Sequence, residues 1–141
     1  MAYLIPDEAL DPALFNARFK GSLPDHLGIE VEEIARDRFV LGLNVQPHHM
    51  APNGFLHAGA VVTLADTAAG FSTTANLREG QGFTTIELKS NFFSTVREGR
   101  IRAVTAPIHI GRTTQVWDAT VEAADTGKRL ALFRCTQLVL T

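Results

Sequence analysis

Hydrophobic and polar residues alternate along six stretches of the chain, which is the pattern of strands with one buried face. The alternation is cleanest from Phe39 to Val45, and a turn at Arg36-Asp37 joins this stretch to a weaker one before it. The pattern predicts strands over residues 27–35, 39–45, 86–92, 101–110, 117–121 and 130–140. The first two form a predicted hairpin, and the last four a predicted meander.

The stretch from Ala58 to Ala75 lacks this alternation and consists mostly of Ala, Val, Leu, Gly and Thr. Its only charged residue is Asp66. A membrane span is disfavoured, because one carboxylate, two glycines and a Ser/Thr-rich second half make insertion costly. The composition instead predicts a helix buried inside a protein, with small residues that let other backbone approach closely.

A second, shorter helix is predicted from Ala13 to Lys20, where Leu14, Phe15 and Phe19 recur at helical spacing before Gly21. Together these elements predict an α+β fold, in which a mostly antiparallel sheet of five or six strands wraps around one long buried helix. Such a sheet explains why the long helix has no polar face over most of its length. Residues 1–141 form one predicted domain, and residues 1–25 are its peripheral N-terminal segment.

Composition and charge narrow the classes of function. The chain has 141 residues and a formal net charge of −2, and its basic residues are scattered, so nucleic acid is not an expected partner. The single cysteine, Cys135, excludes an internal disulfide and is expected to pack in a strand. His48 and His49 have no third ligand at a suitable spacing, so no metal site is expected. The first residues do not resemble a signal peptide, and a cytoplasmic protein is therefore expected.

Two short motifs resemble the signature of hotdog-fold acyl-CoA thioesterases. They are Asn53-Gly54-Phe55-Leu56-His57-Ala58-Gly59 and Leu64-Ala65-Asp66-Thr67-Ala68. The resemblance is particularly to the phenylacetic acid degradation thioesterases and the Arthrobacter-type 4-hydroxybenzoyl-CoA thioesterases. Their pattern is Gly, two residues, His-Gly-Gly, and an acid nine residues after the His. Residues 84–92 and Gly111-Arg112 also look like the third strand of that family and the turn before its fifth.

The chain departs from the family pattern at two positions. Ala58 stands in place of the middle glycine of His-Gly-Gly, a change that keeps the backbone N–H group. Ala51 stands where many members carry Asn or Gln, six residues before the His. Asn53, His48 and His49 are the candidates to supply that polar contact.

The resemblance implies hydrolysis of an acyl-CoA with an aromatic or medium-chain acyl group, without a cofactor. Thioester hydrolysis needs hydrogen-bond donors for the developing oxyanion, and a nucleophile or a base. The backbone N–H groups of His57, Ala58 and Gly59 open the long helix and are the expected donors. Asp66 is expected either to attack the carbonyl or to deprotonate water, and both roles remain open at this point. Asn53 or Thr67 is expected to hydrogen-bond its carboxylate.

His57 and Asp66 are nine residues apart, so on one helix they point to opposite sides. A single helix therefore cannot easily aim both at one carbonyl, whereas two antiparallel helices across a two-fold axis can. The resemblance implies the same arrangement. The expected assembly is a homodimer with shared active sites, with a dimer of dimers as its larger form.

A basic turn is expected to bind the phosphates of coenzyme A, and Arg112 after Gly111 is the first candidate, with Arg97 the second. The complete set of substrate-binding candidates is Asn53, Gly54, Thr67, Asn91, Arg97, Arg112, Thr113 and Thr114. Two other functions on the same scaffold remain open: a non-catalytic acyl-CoA-binding protein, and a hydratase or dehydratase.

Overall fold

In a computed structural model that describes residues 1–141, six strands form one antiparallel sheet, and one long helix packs against it. The helices are α1 (Pro12–Arg18), α2 (Leu23–Leu27) and α3 (Ala58–Ala75). The strands are β1 (Glu30–Ala35), β2 (Arg38–Asn44), β3 (Gly82–Phe92), β4 (Arg100–Ile110), β5 (Thr114–Ala123) and β6 (Arg129–Leu140). Their order across the sheet is β1-β2-β4-β5-β6-β3. The predicted fold class is confirmed, with six strands rather than five.

The long helix α3 covers the residues predicted for it and lies on the inner face of the sheet. Most of its buried side chains are small, and Leu64 is its largest fully buried residue. The sheet contributes larger side chains at the contact, including Trp117 and Phe133, both without exposed surface. Small side chains on the helix therefore let its backbone approach the large side chains of the sheet closely.

The N-terminal segment completes this core at one end. Phe15 of α1 is buried, and its ring packs edge to face against Phe39 and Phe71, with centroids 5.2 Å away in each case. Edge-to-face pairs of this kind add stability beyond the area that they bury. Ile5, Phe15 and Phe19 are therefore part of the hydrophobic core, whereas the rest of residues 1–25 are exposed or half-buried.

Two predicted details of the strands are wrong. The first strand begins at Glu30 rather than at Leu27, because residues 23–27 form α2, which ends at Gly28 with a φ of +82°. The four-strand meander is also wrong, because β3 pairs with β6 and residues 93–99 lead back across the sheet to β4. Alternation identifies the residues of a strand but carries no information about which strand lies beside it.

The edge strand β3 keeps its apolar side chains half exposed. The register with β6 places Leu88 opposite Cys135 and Phe92 opposite Ala131, so both face the side of the sheet that carries α3. Leu88 is nevertheless 44% exposed and Phe92 47%. One chain therefore leaves an apolar part of its inner sheet face uncovered, next to an unpaired strand edge.

A buried hydroxyl joins α3 to two strands. Thr105 Oγ1 of β4 accepts a hydrogen bond from the N–H of Phe39 at 2.8 Å and lies 2.8 Å from Ser72 Oγ of α3. Ser72 Oγ in turn donates to the carbonyl of Ala68. All of these groups lie in the interior, where an unpaired donor is costly.

Replacing Thr105 with Val should lower the free energy of unfolding by about 2 kcal/mol, because the near-isosteric side chain leaves the Phe39 N–H without an acceptor. Thr105→Ser keeps the hydroxyl and should cost about 1 kcal/mol through loss of the methyl group. Urea unfolding of the three proteins measures both values. Equal losses in the two variants would contradict this role for the hydroxyl.

Candidate active site

The first turn of α3 has one backbone N–H group without an acceptor. His57 caps the helix, and its Nδ1 accepts from the N–H of Gly59 at 2.7 Å. The N–H of His57 donates to the carbonyl of His49 at 3.0 Å, and the N–H groups of Ala60 and Val61 donate to the carbonyl of His57. The N–H of Ala58 remains, and it donates to no group of the chain.

Of the three predicted oxyanion donors, only one lacks a hydrogen-bond partner within the chain. The N–H groups of His57 and Gly59 are already bonded, and that of Ala58 is free. It lies at the positive end of the helix dipole, which suits an anionic oxygen. Gly59 also makes room for the capping imidazole, because a Cβ atom there would lie 2.9 Å from Nδ1 of His57.

The loop before α3 is closed by its own hydrogen bonds. The N–H of Ala51 donates to the carbonyl of Phe55 at 2.7 Å, and the N–H of Gly54 donates to the carbonyl of Ala51 at 2.9 Å. Gly54 has a φ of +84°, a conformation that glycine adopts without strain. Asn53 Oδ1 accepts from the N–H of Phe55 at 3.2 Å. Asn53 and Gly54 therefore shape this loop.

Two of the three candidates for the polar contact missing at Ala51 have free polar atoms. Asn53 uses only its Oδ1 within the loop, so its side-chain NH2 group has no partner, whereas both ring nitrogens of the buried His49 have partners. The exposed His48 imidazole instead borders an open pocket of about 310 Å³ beside His57. The remaining residues that line this pocket are Leu23, Leu27, His49, Met50, Gly59, Ala60 and Thr63.

Asp66 lies in the middle of α3 and is partly buried. Its Oδ1 atom is buried without a hydrogen-bond partner, and neither Thr67 nor Asn53, the partners predicted for it, bonds to the carboxylate. Burial raises the pKa of Asp66 above its ordinary value. A carboxylate with a raised pKa and no partner in its own chain is a candidate base or nucleophile.

The thiol of Cys135 lies on β6, near the negative charge of Asp66. Burial, and then the negative charge of Asp66, raise the pKa of Cys135 to about 12. The side chain is completely buried, and the thiol is therefore protonated at neutral pH. This agrees with the packing role predicted for it.

Ala58 and Asp66 of one chain cannot reach the same carbonyl group. Eight positions separate them along α3, which corresponds to about 12 Å of helix rise. Catalytic groups must lie within about 3 Å of the reacting atoms. Within one chain, the Ala58 N–H and the Asp66 carboxylate therefore cannot act on the same atom.

The predicted phosphate-binding arginines lie at opposite ends of α3. The Arg97 guanidinium is 5.7 Å from the ring centroid of Phe55, in the loop that precedes the helix. Arg112 lies beyond the other end, on a pocket of about 390 Å³ that it shares with Arg78. The other residues lining that pocket are Met1, Asn76, Gln81, Ile110, Gly111, Gln115 and Val139. Arg78 has no motif around it, and no signal in the sequence could have found it.

The remaining predicted residues are not gathered at Asp66. Thr113 and Thr114 support the turn before β5, because their carbonyl groups accept from the N–H groups of Val139 and Gly111. Asn91 pairs with the outward-facing Leu132, so it lies on the face of the sheet opposite α3. Within one chain, Asn91 is therefore separated from the other candidates.

The chain has neither a cluster of metal ligands nor a membrane-spanning helix. No three His, Cys, Asp or Glu side chains lie close enough together to hold a metal ion. No helix combines the length and the hydropathy needed to cross a membrane.

Comparison with known proteins finds consistent similarities over most of the chain. Residues 53–129 match the family model described as the thioesterase superfamily. The chain is 31% identical to a 1,4-dihydroxy-2-naphthoyl-CoA hydrolase from Listeria monocytogenes, over 81% of this chain and 92% of that protein. It is 30% identical to the proofreading thioesterase EntH of Cronobacter turicensis, over 89% and 90% of the two chains. A thioesterase crystal structure from Haemophilus influenzae superposes with a TM-score of 0.88 at 29% identity, covering 93% of this chain and 91% of that one.

Asp66→Asn should stabilise the protein at pH 7 by about 1 kcal/mol, because a neutral amide of the same shape replaces an unpaired, partly buried charge. Because burial makes the pKa of Asp66 higher in the folded than in the unfolded protein, ionisation of Asp66 destabilises the folded state. This penalty begins above the unfolded pKa of about 3.9 and is complete above the folded pKa. The gain in Tm, about 3 °C at pH 7, should therefore shrink as the pH falls through the folded pKa.

Thermal unfolding of both proteins between pH 4 and pH 8 measures this difference. A lower Tm for Asp66→Asn at pH 7 would show that the carboxylate has a stabilising partner.

Proposed function

Since this chain belongs to the thioesterase superfamily and is a thioester hydrolase with the hotdog fold, we propose that its substrate is an acyl-CoA. We further propose that Asp66 of one chain and the Ala58 N–H of a second chain act on the same thioester. The observation that carries this proposal is that these two groups, one acceptor and one donor, have no partner within the chain. Both are therefore available to a substrate.

The chemistry requires only these two groups and water. In the general-base route, the Asp66 carboxylate takes a proton from water as the water oxygen attacks the thioester carbonyl carbon. The Ala58 N–H donates to the carbonyl oxygen as that oxygen gains negative charge. The C–S bond then breaks, and the coenzyme A thiolate takes the proton from Asp66. The raised pKa of Asp66 favours this route near neutral pH.

A nucleophilic route uses the same arrangement. An Asp66 carboxylate oxygen attacks the carbonyl carbon, and expulsion of the thiolate leaves a mixed anhydride. Water then cleaves the anhydride and regenerates the carboxylate. The Ala58 N–H stabilises the oxyanion in both steps, so its importance does not depend on the route.

The pocket beside His57 supports an aromatic or medium-chain acyl group. His57 and Gly59, the residues on either side of Ala58, line this pocket, and its apolar lining includes Leu23, Leu27 and Met50. Apolar pockets of this size, about 310 Å³, suit small rings or short alkyl chains. The hydrolase from Listeria monocytogenes, which is named for an aromatic acyl-CoA, supports the same substrate class.

The arginine pair at the far end of α3 supports binding of the coenzyme A phosphates. Arg78 and Arg112 line one pocket, and two guanidinium groups can together neutralise a phosphate. Asn76, which also lines it, is ten positions beyond Asp66, about 15 Å along the helix. A ligand that reaches both places must carry a long arm between its reactive group and its phosphates, as coenzyme A does. Arg97, beside the other end of α3, is the alternative site.

A homodimer is the assembly that this mechanism requires. The uncovered apolar side chains of β3, with Leu88 and Phe92 on the helix side, support pairing of two such edges across a two-fold axis. That pairing would bring a second α3 to the open inner face beside Asp66. Leu132 and Leu140, exposed on the outer face, support a further pairing of dimers.

Release of coenzyme A thiol from a panel of aryl-CoA and alkyl-CoA thioesters tests the proposed reaction. The wild type should turn over at least one aryl or medium-chain substrate, and Asp66→Asn should lower kcat/KM by at least about 100-fold, because the amide is a much weaker base. No release from any thioester would reject the proposal. Tight binding of an acyl-CoA without turnover would identify a binding protein instead.

Ala58→Pro removes the proposed oxyanion donor and little else. Proline is tolerated at the first position of a helix, and His57, with φ −64° and ψ 131°, already has the extended conformation that a following proline requires. The variant should lose about 100- to 1000-fold in kcat, with little change in KM. Ala58→Gly keeps the N–H and should lose far less. Wild-type kcat in Ala58→Pro would show that another donor binds the oxyanion.

Mixing the two inactive variants tests the shared site. An equal mixture of Asp66→Asn and Ala58→Pro chains should contain about half mixed dimers, each with one site that has both groups intact. Activity should then recover to about one quarter of the wild-type value. Differently tagged chains verify subunit exchange, and exchange without recovery would contradict a site shared between chains.

A further inference from the structure

The imidazole of His49 is buried in the loop that precedes α3, and both of its ring nitrogens have partners. Its Nδ1 accepts from the N–H of Gln46 at 2.9 Å, and its Nε2 lies 2.7 Å from the carbonyl of Leu27. The residue is only 2% exposed. One side chain thus joins the end of α2 to the start of the loop, two segments that are distant in the sequence.

These partners define the tautomer of the ring. Because an N–H group donates to Nδ1, that nitrogen carries no hydrogen, and the hydrogen on Nε2 donates to the Leu27 carbonyl. Burial lowers the pKa of His49, and the neighbouring His48 lowers it further, while the bond to Leu27 opposes them. The neutral ring is the form that satisfies both neighbours.

The backbone of His49 connects this ring to the free N–H of Ala58. The carbonyl of His49 accepts from the N–H of His57 at 3.0 Å. The imidazole of His57 then accepts from the N–H of Gly59, which leaves Ala58 as the one unbonded donor between them. The direction of the Ala58 N–H therefore depends on where the His49 carbonyl is held.

We propose that His49 is a positioning residue for thioester hydrolysis: its neutral imidazole, anchored to Leu27 and Gln46, holds the His49 carbonyl so that the Ala58 N–H points at the oxyanion. This rests on the function proposed above, in which Ala58 supplies that donor. His49 touches no reacting atom, and it acts on the oxyanion through the start of α3, although it also lines the pocket beside His57. Its removal should therefore weaken a contact that is made in the transition state more than it weakens substrate binding.

The first test compares replacements of His49. His49→Leu removes both ring hydrogen bonds and should lower kcat by at least about tenfold, with KM changed by less than about threefold. His49→Gln keeps a donor for the Leu27 carbonyl, and His49→Asn keeps an acceptor for the Gln46 N–H, so each should recover part of kcat. His26→Leu, an exposed histidine replaced on α2, serves as the matched control and should leave kcat unchanged.

The second test separates positioning from a general loss of structure. If His49 acts through Ala58, adding His49→Leu to Ala58→Pro should lower kcat by less than about twofold, because the donor is already absent. A full additional tenfold loss in the double variant would overturn the proposal. His49→Gln replaces His49→Leu in this cycle if the leucine variant does not fold.

The outcomes also distinguish the two proposals. Wild-type kcat in Ala58→Pro would count against the proposed oxyanion donor itself, and so against both. A large loss in Ala58→Pro, together with additive effects of His49→Leu, would leave the proposed function intact and remove only the role of His49.

Discussion

The packing of α3 against the inner face of the sheet is the contact on which the rest of the candidate site depends. The small side chains of α3 bring its backbone close to the sheet, and the hydroxyl groups of Ser72 and Thr105 join the two in the interior. At its end, the Ala75 carbonyl accepts from the guanidinium of Arg36, in the turn between β1 and β2. A helix held along its length and at its end cannot slide, so Ala58 and Asp66 keep constant positions relative to the sheet.

The same packing leaves polar groups unpaired where the chemistry needs them. Buried polar groups in proteins almost always have partners, yet Asp66 Oδ1 has none. At the start of the same helix, every N–H group of the first turn except that of Ala58 donates to a neighbouring residue. The buried, unpaired oxygen of Asp66 lowers the stability of the free protein, and both it and the exposed N–H of Ala58 are available to a ligand. This pattern is typical of sites in which function opposes stability.

A single chain does not bring these two groups together. They are separated along one rigid helix, and the inner sheet face beside Asp66 is open at β3, where apolar side chains remain exposed. The proposed homodimer would account together for the open face, the unpaired strand edge and the separation of the two groups. The interface and the site would then depend on the same contacts, so that loss of the dimer would also be loss of activity.

The sequence was sufficient to predict most of the elements and the reaction class, thioester hydrolysis. The long helix follows from eighteen mostly small, apolar residues, and Asp66 stands out because it is their only charge. The motif around His57 located the start of that helix, and helix geometry was enough to separate His57 from Asp66. Each of these conclusions depends on residues within a few turns of one another, which is the range over which local pattern is informative.

Only the tertiary structure decided the strand order, the free donor and the partners of the His49 ring. β3 lies beside β6, which follows it by some forty residues, and alternation does not encode such pairing. The N–H of His57 already donates to the carbonyl of His49, and that of Gly59 to the capping imidazole, which leaves the N–H of Ala58 free. The bond from His49 to Leu27 joins segments twenty-two positions apart. The physical reason is that a hydrogen-bond donor takes whichever acceptor the packing of distant segments brings to it, and that choice is made only in the folded chain.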